Sequence, residues 1–379
     1  MKRFSGKIAY IAVLAAVVAG CAKEKKTPAN SEEKLFFDAW MQTHHPDAQK
    51  SGNGIYIIGD TPGVGEEVAD SQFVYTSYTI TDLSGGIIEY TDEETAKMLG
   101  KYDKTKFYGP KVMSRISGYM YAGLADMLSG MKSGGLRKAV VPGWLMSKKW
   151  YGSEQEYLDN VSGSNSIIEL EVIDPIKNID KWQIDSIGRF IKKDKNEMNK
   201  DFPYLDFVKI FEKNDTIKDE SDSTSYGFYY LGIKDGKPLN TKNDKGEEMD
   251  IAGKSHFFTR TGSTDTTIYI NYVGRLLNGL VFDTNIARVA QDNGLSGGKY
   301  KPVAIKWGDS YSKLIMGTDS ETPNVIAGFA KTIWQMHPFE RGIGIFYAKH
   351  GYGISGSGKA IPPFSPLMFE IEIVEKPEE

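Results

Sequence analysis

Cysteine is nearly absent. Cys21 is the only one in 379 residues, so no disulfide can form within the chain. Histidine is scarce, with five, and no HExxH or CxxC spacing supplies a zinc or thiol-redox motif. Charge of one sign is also missing. The 46 basic residues stand against 50 acidic ones, which argues against a nucleic-acid partner held by a basic face. The apolar stretch Ile8 to Val18 is too short to span a bilayer with ordinary flanks. What the chain does hold is glycine (40), tyrosine (21) and phenylalanine (18), with 40% hydrophobic residues. That composition suits β-rich domains with many turns, and the length allows two of them.

The N-terminus explains the lone cysteine. Lys2, Arg3 and Lys7 form a positive region ahead of the short apolar core. Val18-Ala19-Gly20-Cys21 then resembles the bacterial lipobox, which implies cleavage after residue 20 and lipidation of Cys21. An ordinary signal peptide with an incidental cysteine and a membrane anchor are the competing readings. Two or more acyl chains suffice for stable anchoring. The expectation is a protein of the cell envelope, lipid-anchored to a bacterial membrane and extracytoplasmic. Residues 1–20 are then the signal peptide. Residues 21–34, polar and Pro-containing after the cysteine, are a flexible tether.

Hydrophobic periodicity predicts a helix from Glu33 to about His45, a short strand at Gly54–Ile58 and an alternating strand from Gln72 to Thr81. A turn at Asp82–Gly86 leads back through Ile87–Tyr90, and Thr91 with Asp92-Glu93-Glu94 starts a short helix through Leu99. A helix at Gly123–Met131 and strands at Leu136–Val141 and Ser166–Ile173 follow. Pro175 opens a linker, residues 179–193 have helical spacing, and Asn214–Ser225 reads as a loop. The order then repeats. Gly227–Tyr230 matches Gly54–Ile57, Thr267–Gly274 matches the strand at Phe73, and Leu280–Asp283 matches Ile87–Glu89. Ile286–Leu295 is again helical, Gly328–Met336 matches Gly123–Met131, and Leu367–Val374 matches Ser166–Ile173. Two copies of one domain are expected, over residues 35–175 and 176–379, the second with a leading helix.

Three tempting motifs fail on context. Gly351-Tyr352-Gly353-Ile354-Ser355-Gly356 satisfies GxGxxG, but the following Ile361-Pro362-Pro363 forbids the helix that a pyrophosphate site needs. Gly353 to Ala360 has the P-loop spacing but ends in Ala where Ser or Thr must meet magnesium. His44-His45 has no further ligand nearby and reads as an exposed helix end. His337 and His350 read as surface or pocket-rim residues rather than catalytic bases. No cofactor or metal is expected.

The second copy resembles an FKBP-type peptidyl-prolyl cis-trans isomerase across residues 267–374. The residues that carry the likeness are Tyr272, the pair Phe282-Asp283, Val325-Ile326 with Phe329, Tyr352, Ile361 before Pro362-Pro363, and Phe369. An insertion separates Asp283 from Val325. The resemblance implies an α+β fold of two tandem FKBP-like domains, each an antiparallel twisted sheet wrapped around a short helix. It implies isomerisation of X-Pro bonds in proline-containing client proteins, with a macrolide as the inhibitor class. Phe282, Asp283 and Tyr352 are then catalytic, and Tyr272, Val325, Ile326, Phe329, Ile361 and Phe369 bind substrate. Asp283 would orient the displaced carbonyl or the Tyr272 hydroxyl. The family's Trp at the pocket floor is Phe329 here, Ala360 precedes the Ile-Pro-Pro, and Ser357 replaces a rim His. These departures bear on macrolide affinity more than on catalysis. The first copy is degenerate: Ile88-Glu89 replaces Phe-Asp, Leu124 replaces Phe329, and only Tyr78 persists. It is expected to be structural or to hold clients. The alternative for the whole chain is a non-catalytic peptide-binding chaperone or assembly module on the same fold.

Overall fold

In the computed structural model, residues 31–70, 72–192, 226–233, 267–317, 321–336, 341–374 and 376–377 are described. The lipobox with Cys21, the loop expected at Asn214–Ser225 and His337 lie outside them. No helix among the described residues is long and apolar enough to cross a membrane.

The first half runs α1 (Ser31–His44), β1 (Gln49–Lys50), β2 (Tyr56–Thr61), β3 (Phe73–Asp82), β4 (Ile87–Tyr90) and α2 (Glu93–Met98). It continues with β5 (Lys111–Ser114), α3 (Ala122–Met127), β6 (Leu136–Val141), α4 (Glu154–Asn160) and β7 (Ser166–Ile176). The second half runs α5 (Ile179–Lys192), β8 (Phe228–Ile233), β9 (Thr267–Leu276), β10 (Val281–Thr284) and α6 (Ala287–Asp292). Then come β11 (Val303–Lys306), β12 (Ile315–Met316), α7 (Ala327–Gln335), β13 (Arg341–Phe346) and β14 (Leu367–Val374).

Each half builds one antiparallel sheet, and the two share a topology. In the first, β3 pairs with β4, β5 and β7, and β7 leads through β6 to β2. In the second, β9 pairs with β10, β11 and β14, and β14 leads through β13 to β8. The architecture is α+β, with two tandem FKBP-like sheets.

Sequence alternation decides which face each strand buries. Along β3, Val74, Thr76, Tyr78 and Ile80 are buried and their neighbours are not, as a half-covered strand requires. On β9 burial becomes continuous from Ile270, because its outer face is covered too. There Val273 packs with Val281 and Ile286 at the start of α6. On the same sheet α5 sets Ile184, Ile187 and Phe190 against Ile343, Ile345 and Met368. Each such buried aliphatic or aromatic side chain contributes about 1.5–3 kcal/mol. On the Met368 side of β14, Arg275 Nε donates to Glu370 Oε1 at 2.9 Å, both side chains buried.

The central helices α3 and α7 lie against their sheets at matching points. A Cβ on Gly123 would come within 2.3 Å of Val141, and one on Gly328 within 2.4 Å of the Phe346 ring. Val141 and Phe346 each end the corresponding strand, β6 or β13. Only glycine allows so close an approach.

Several details differ from the sequence expectation. The strands β5 and β11 and the helix α4 were not expected. Pro175 does not open a linker. It lies inside β7, opposite Val74, beyond a register shift in the β3–β7 ladder, where a strand tolerates a residue without an N–H. The helix expected after Thr91 takes Asp92 as its cap, whose carboxylate accepts from Thr95 N at 2.7 Å.

The two halves are pinned together at the loop between β13 and β14. Phe364, buried and held at φ +58°, meets Phe73 edge-to-face at 5.0 Å and packs with Val112 and Ile176. From the other side, Phe107 N donates to Lys359 O at 3.0 Å, and Lys359 Nζ meets Asp103 Oδ2 at 2.5 Å.

Candidate functional site

The site of the second domain starts from a strand irregularity. Register between β9 and β10 shifts between Val281 and Asp283, leaving Phe282 without an opposite residue on β9. Such a bulge redirects side chains. Tyr272, midway along β9, donates its hydroxyl to Asp283 Oδ2 at 3.0 Å. Asn285 fixes the same corner. Its Oδ1 accepts from Tyr272 N at 2.7 Å and its Nδ2 donates to Ile270 O at 2.8 Å and Lys301 O at 3.0 Å.

Four rings form the walls. Phe369 on β14 lies edge-to-face with Phe329 of α7 at 4.9 Å and with Phe282 at 5.4 Å. Tyr272 meets Phe329 edge-to-face at 5.4 Å. Edge-to-face contacts of this kind hold rings in fixed orientations. The space for them comes from Gly274. A Cβ there would lie 2.6 Å from the Phe282 ring and 2.8 Å from that of Phe369.

Val325 and Ile326 pack against this cluster, and Ile326 is the N-cap of α7. Ile361 is buried in it, held by a pair of backbone bonds with Ser357 (2.8 and 3.1 Å). Tyr352 stays partly open at the rim. The glycine-rich loop folds into turns where a nucleotide site needs a helix.

Electrostatics follow this packing. Asp283 is exposed as a residue, yet crowding by neighbouring atoms thins the water around its carboxyl and raises its pKa. Tyr272 is pushed up by burial first and by the Asp283 charge second. Burial, and then Asp283, raise Tyr352 in the same way. Both hydroxyls stay protonated donors at neutral pH, near an acceptor. Nothing here is a nucleophile with a matched base. The described residues hold no group of three or more His, Cys, Asp or Glu able to bind a metal.

Two participants were not expected. Phe346 stacks on Phe369 at 6.0 Å, forming a second layer behind the wall. Phe107, from the first domain, packs against the same cluster. Only the fold brings it there. His350 is neither surface nor rim. It is buried, with Nε2 3.0 Å from Tyr226 O, and sits edge-to-face with Tyr347 at 5.0 Å. Burial, with Lys331 close by, lowers its pKa to about 4. His44 lies exposed on α1, with Nδ1 2.9 Å from Trp40 O.

In the first domain more persists than Tyr78. Tyr78 donates to Glu89 Oε1 at 2.5 Å, eleven residues on, and its N–H donates to Thr91 Oγ1 at 3.1 Å, thirteen residues on. The Tyr272 bonds to Asp283 and Asn285 span the same two intervals. The walls are what changed. Ile80 stands at the register of Gly274, Ile168 at that of Phe369 and Leu124 at that of Phe329.

Residues 259–374 match the family described as FKBP-type peptidyl-prolyl cis-trans isomerase. No curated protein matches the chain. Among solved structures, the chain is similar to the three FKBP domains of wheat FKBP73. That match has 14% identity and a TM-score of 0.24, covering 85% of this chain and 94% of that one. It is similar to FkpA from Escherichia coli at 18% identity and a TM-score of 0.26, covering 39% of this chain and 59% of FkpA. A peptidyl-prolyl cis-trans isomerase from Pseudomonas syringae pv. tomato aligns at 16% identity and a TM-score of 0.27, covering 39% and 94%. The likeness to FKBP-type peptidyl-prolyl cis-trans isomerases thus lies in the second domain, over residues 259–374.

Proposed function

We propose that the second domain accelerates X-Pro rotation in extracytoplasmic client proteins through the pocket of Tyr272, Phe282, Phe329 and Phe369. Lipidation at Cys21 then tethers the chain to the envelope membrane. The observation that carries the reading is the four-ring box closed by the 3.0 Å Tyr272–Asp283 bond.

The chemistry requires no covalent step. Amide resonance sets a rotation barrier of about 18–20 kcal/mol, and X-Pro bonds exchange in roughly tens to hundreds of seconds. A twisted amide has lost charge separation, so a dry, apolar pocket favours it over the planar ground state. Phe282, Phe329 and Phe369 hold the proline ring. Tyr352 O–H and the Ile326 N–H bind the flanking carbonyls, while Val325 and Ile361 line the sides. Asp283 orients the Tyr272 hydroxyl or meets the displaced carbonyl. Proline-containing segments of clients are the substrates, and a macrolide would compete for the same walls.

A proline-isomerisation assay on the full chain tests this. Phe282→Ala is expected to lower kcat/KM by about ten- to a hundredfold, the equivalent of about 1.4–2.7 kcal/mol. Asp283→Ala should also slow it. If wild type binds prolyl peptides but is no faster than buffer, the non-catalytic chaperone reading replaces this one. Radiolabelled palmitate incorporation that persists in Cys21→Ser would remove the anchoring claim.

A further inference from the structure

The Tyr78–Glu89 couple of the first domain opens onto a cleft of about 210 Å³ that the second domain helps to close. Tyr78, Tyr119, Tyr121 and Leu124 line one side, and Pro363 with Phe364 the other. One loop thus packs against both domains. Its Ile361 packs in the core of the second domain, and its Ile354, Pro363 and Phe364 face the cleft.

The lining of the cleft is mostly apolar and includes two lysines. Lys111 and Lys148 both line it, and Lys148 lies over the Tyr121 ring at 5.8 Å. Among the described residues neither lysine makes an ion pair with a carboxylate. Glu89 is the only acid in the lining, and its carboxylate already accepts from Tyr78. Burial lowers the pKa of Lys111 and Glu89 partly restores it, so this cation sits where an added anion would be felt strongly. The chain's own Pro363-Phe364 wall shows the kind of side chain that packs there.

We propose that this two-domain cleft is a second, non-catalytic peptide site, which takes an extended client segment carrying an aromatic residue followed by acidic residues. The aromatic side chain enters between Tyr121 and Leu124, and the carboxylates meet Lys111 and Lys148. The inference rests on the isomerase reading only for its ligand class, unfolded polypeptide. A client held there stays tethered while its prolines visit the neighbouring pocket, which raises their local concentration.

The test uses the full chain and a fluorescein-labelled, proline-free octapeptide with one Phe followed by two Glu, read by anisotropy. Saturable binding to wild type is expected. Lys148→Glu, at an exposed position, should weaken it at least tenfold, and a peptide with Lys in place of Glu should bind this variant better than wild type. Lys111→Glu should act in the same direction. Phe282→Ala should leave the affinity within twofold. No binding to wild type, equal binding to the Lys148 variant, or loss in Phe282→Ala would overturn the proposal. Isomerisation of a prolyl tetrapeptide by wild type decides the enzymatic reading separately.

Discussion

The two domains keep the same corner and differ in what is built around it. In both, a strand tyrosine donates to a carboxylate and its N–H donates to a polar side chain two residues farther on. In the second domain Gly274 leaves room for the rings of Phe282 and Phe369, whereas the first places Ile80 at that register. A β-branched side chain there fills the volume that an aromatic box would need. The comparison teaches that the tyrosine–carboxylate couple is common to both domains, while the ring cluster, admitted by one missing Cβ, is particular to the second and is where the proposed activity is placed.

Gly274→Ile would make the second domain resemble the first, and it should have the largest effect. The new side chain overlaps two rings, so the core must shift at about 1–3 kcal/mol. Isomerisation should fall at least about a hundredfold, equivalent to about 2.7 kcal/mol in the barrier. Steady-state kinetics with a heat-unfolding scan separates the two losses.

The next contrast is His350, which ends a short 3-10 turn just before Tyr352 and faces Lys331, Lys349 and the Tyr226 carbonyl. Its folded pKa is about 4, below the ordinary 6.5. The unfolded chain therefore binds a proton that the folded chain refuses. Stability is fully present above pH 6.5 and is lost as pH falls toward 4, by up to about 3 kcal/mol. Urea unfolding across that window should show the slope in wild type and not in His350→Gln.

Asn285 should come next. Asn285→Ala strands the buried Tyr272 N–H and two carbonyls and should cost about 1–3 kcal/mol. Asn285→Thr, which copies Thr91 of the first domain, should recover part of it. Urea midpoints measure both. The smallest effect is expected at the seam. Phe73→Ala removes the edge-to-face partner of Phe364, a ring pair contributing about 0.5–1.5 kcal/mol beyond area burial. Hydrogen exchange should then rise in residues 351–364, which carry Tyr352 and Ile361.

Much of this was legible in the sequence because it is local. Alternation along β3 and β9 gave the strands, and Phe282-Asp283, Tyr352 and Ile361 stood at spacings that a family likeness could carry. Two four-residue strands, β5 and β11, were too short to show a period. Glu89 looked like a loss because it is not Asp, yet the longer side chain still reaches Tyr78. His350 reads in the sequence as a surface or pocket-rim residue, and the packing of Phe228 and Tyr347 around it comes from the fold. The contacts of Phe107 with the second core and of Phe364 with the first arise between domains. No periodicity within either one could reveal them.

The most direct test compares equivalent positions in one molecule. Proline-isomerisation rates should be measured for full-length Phe282→Ala and for Ile88→Ala, whose side chain in the first domain is exposed. The account predicts a ten- to a hundredfold loss, roughly, in the first and a wild-type rate in the second. Equal rates in both variants would contradict it.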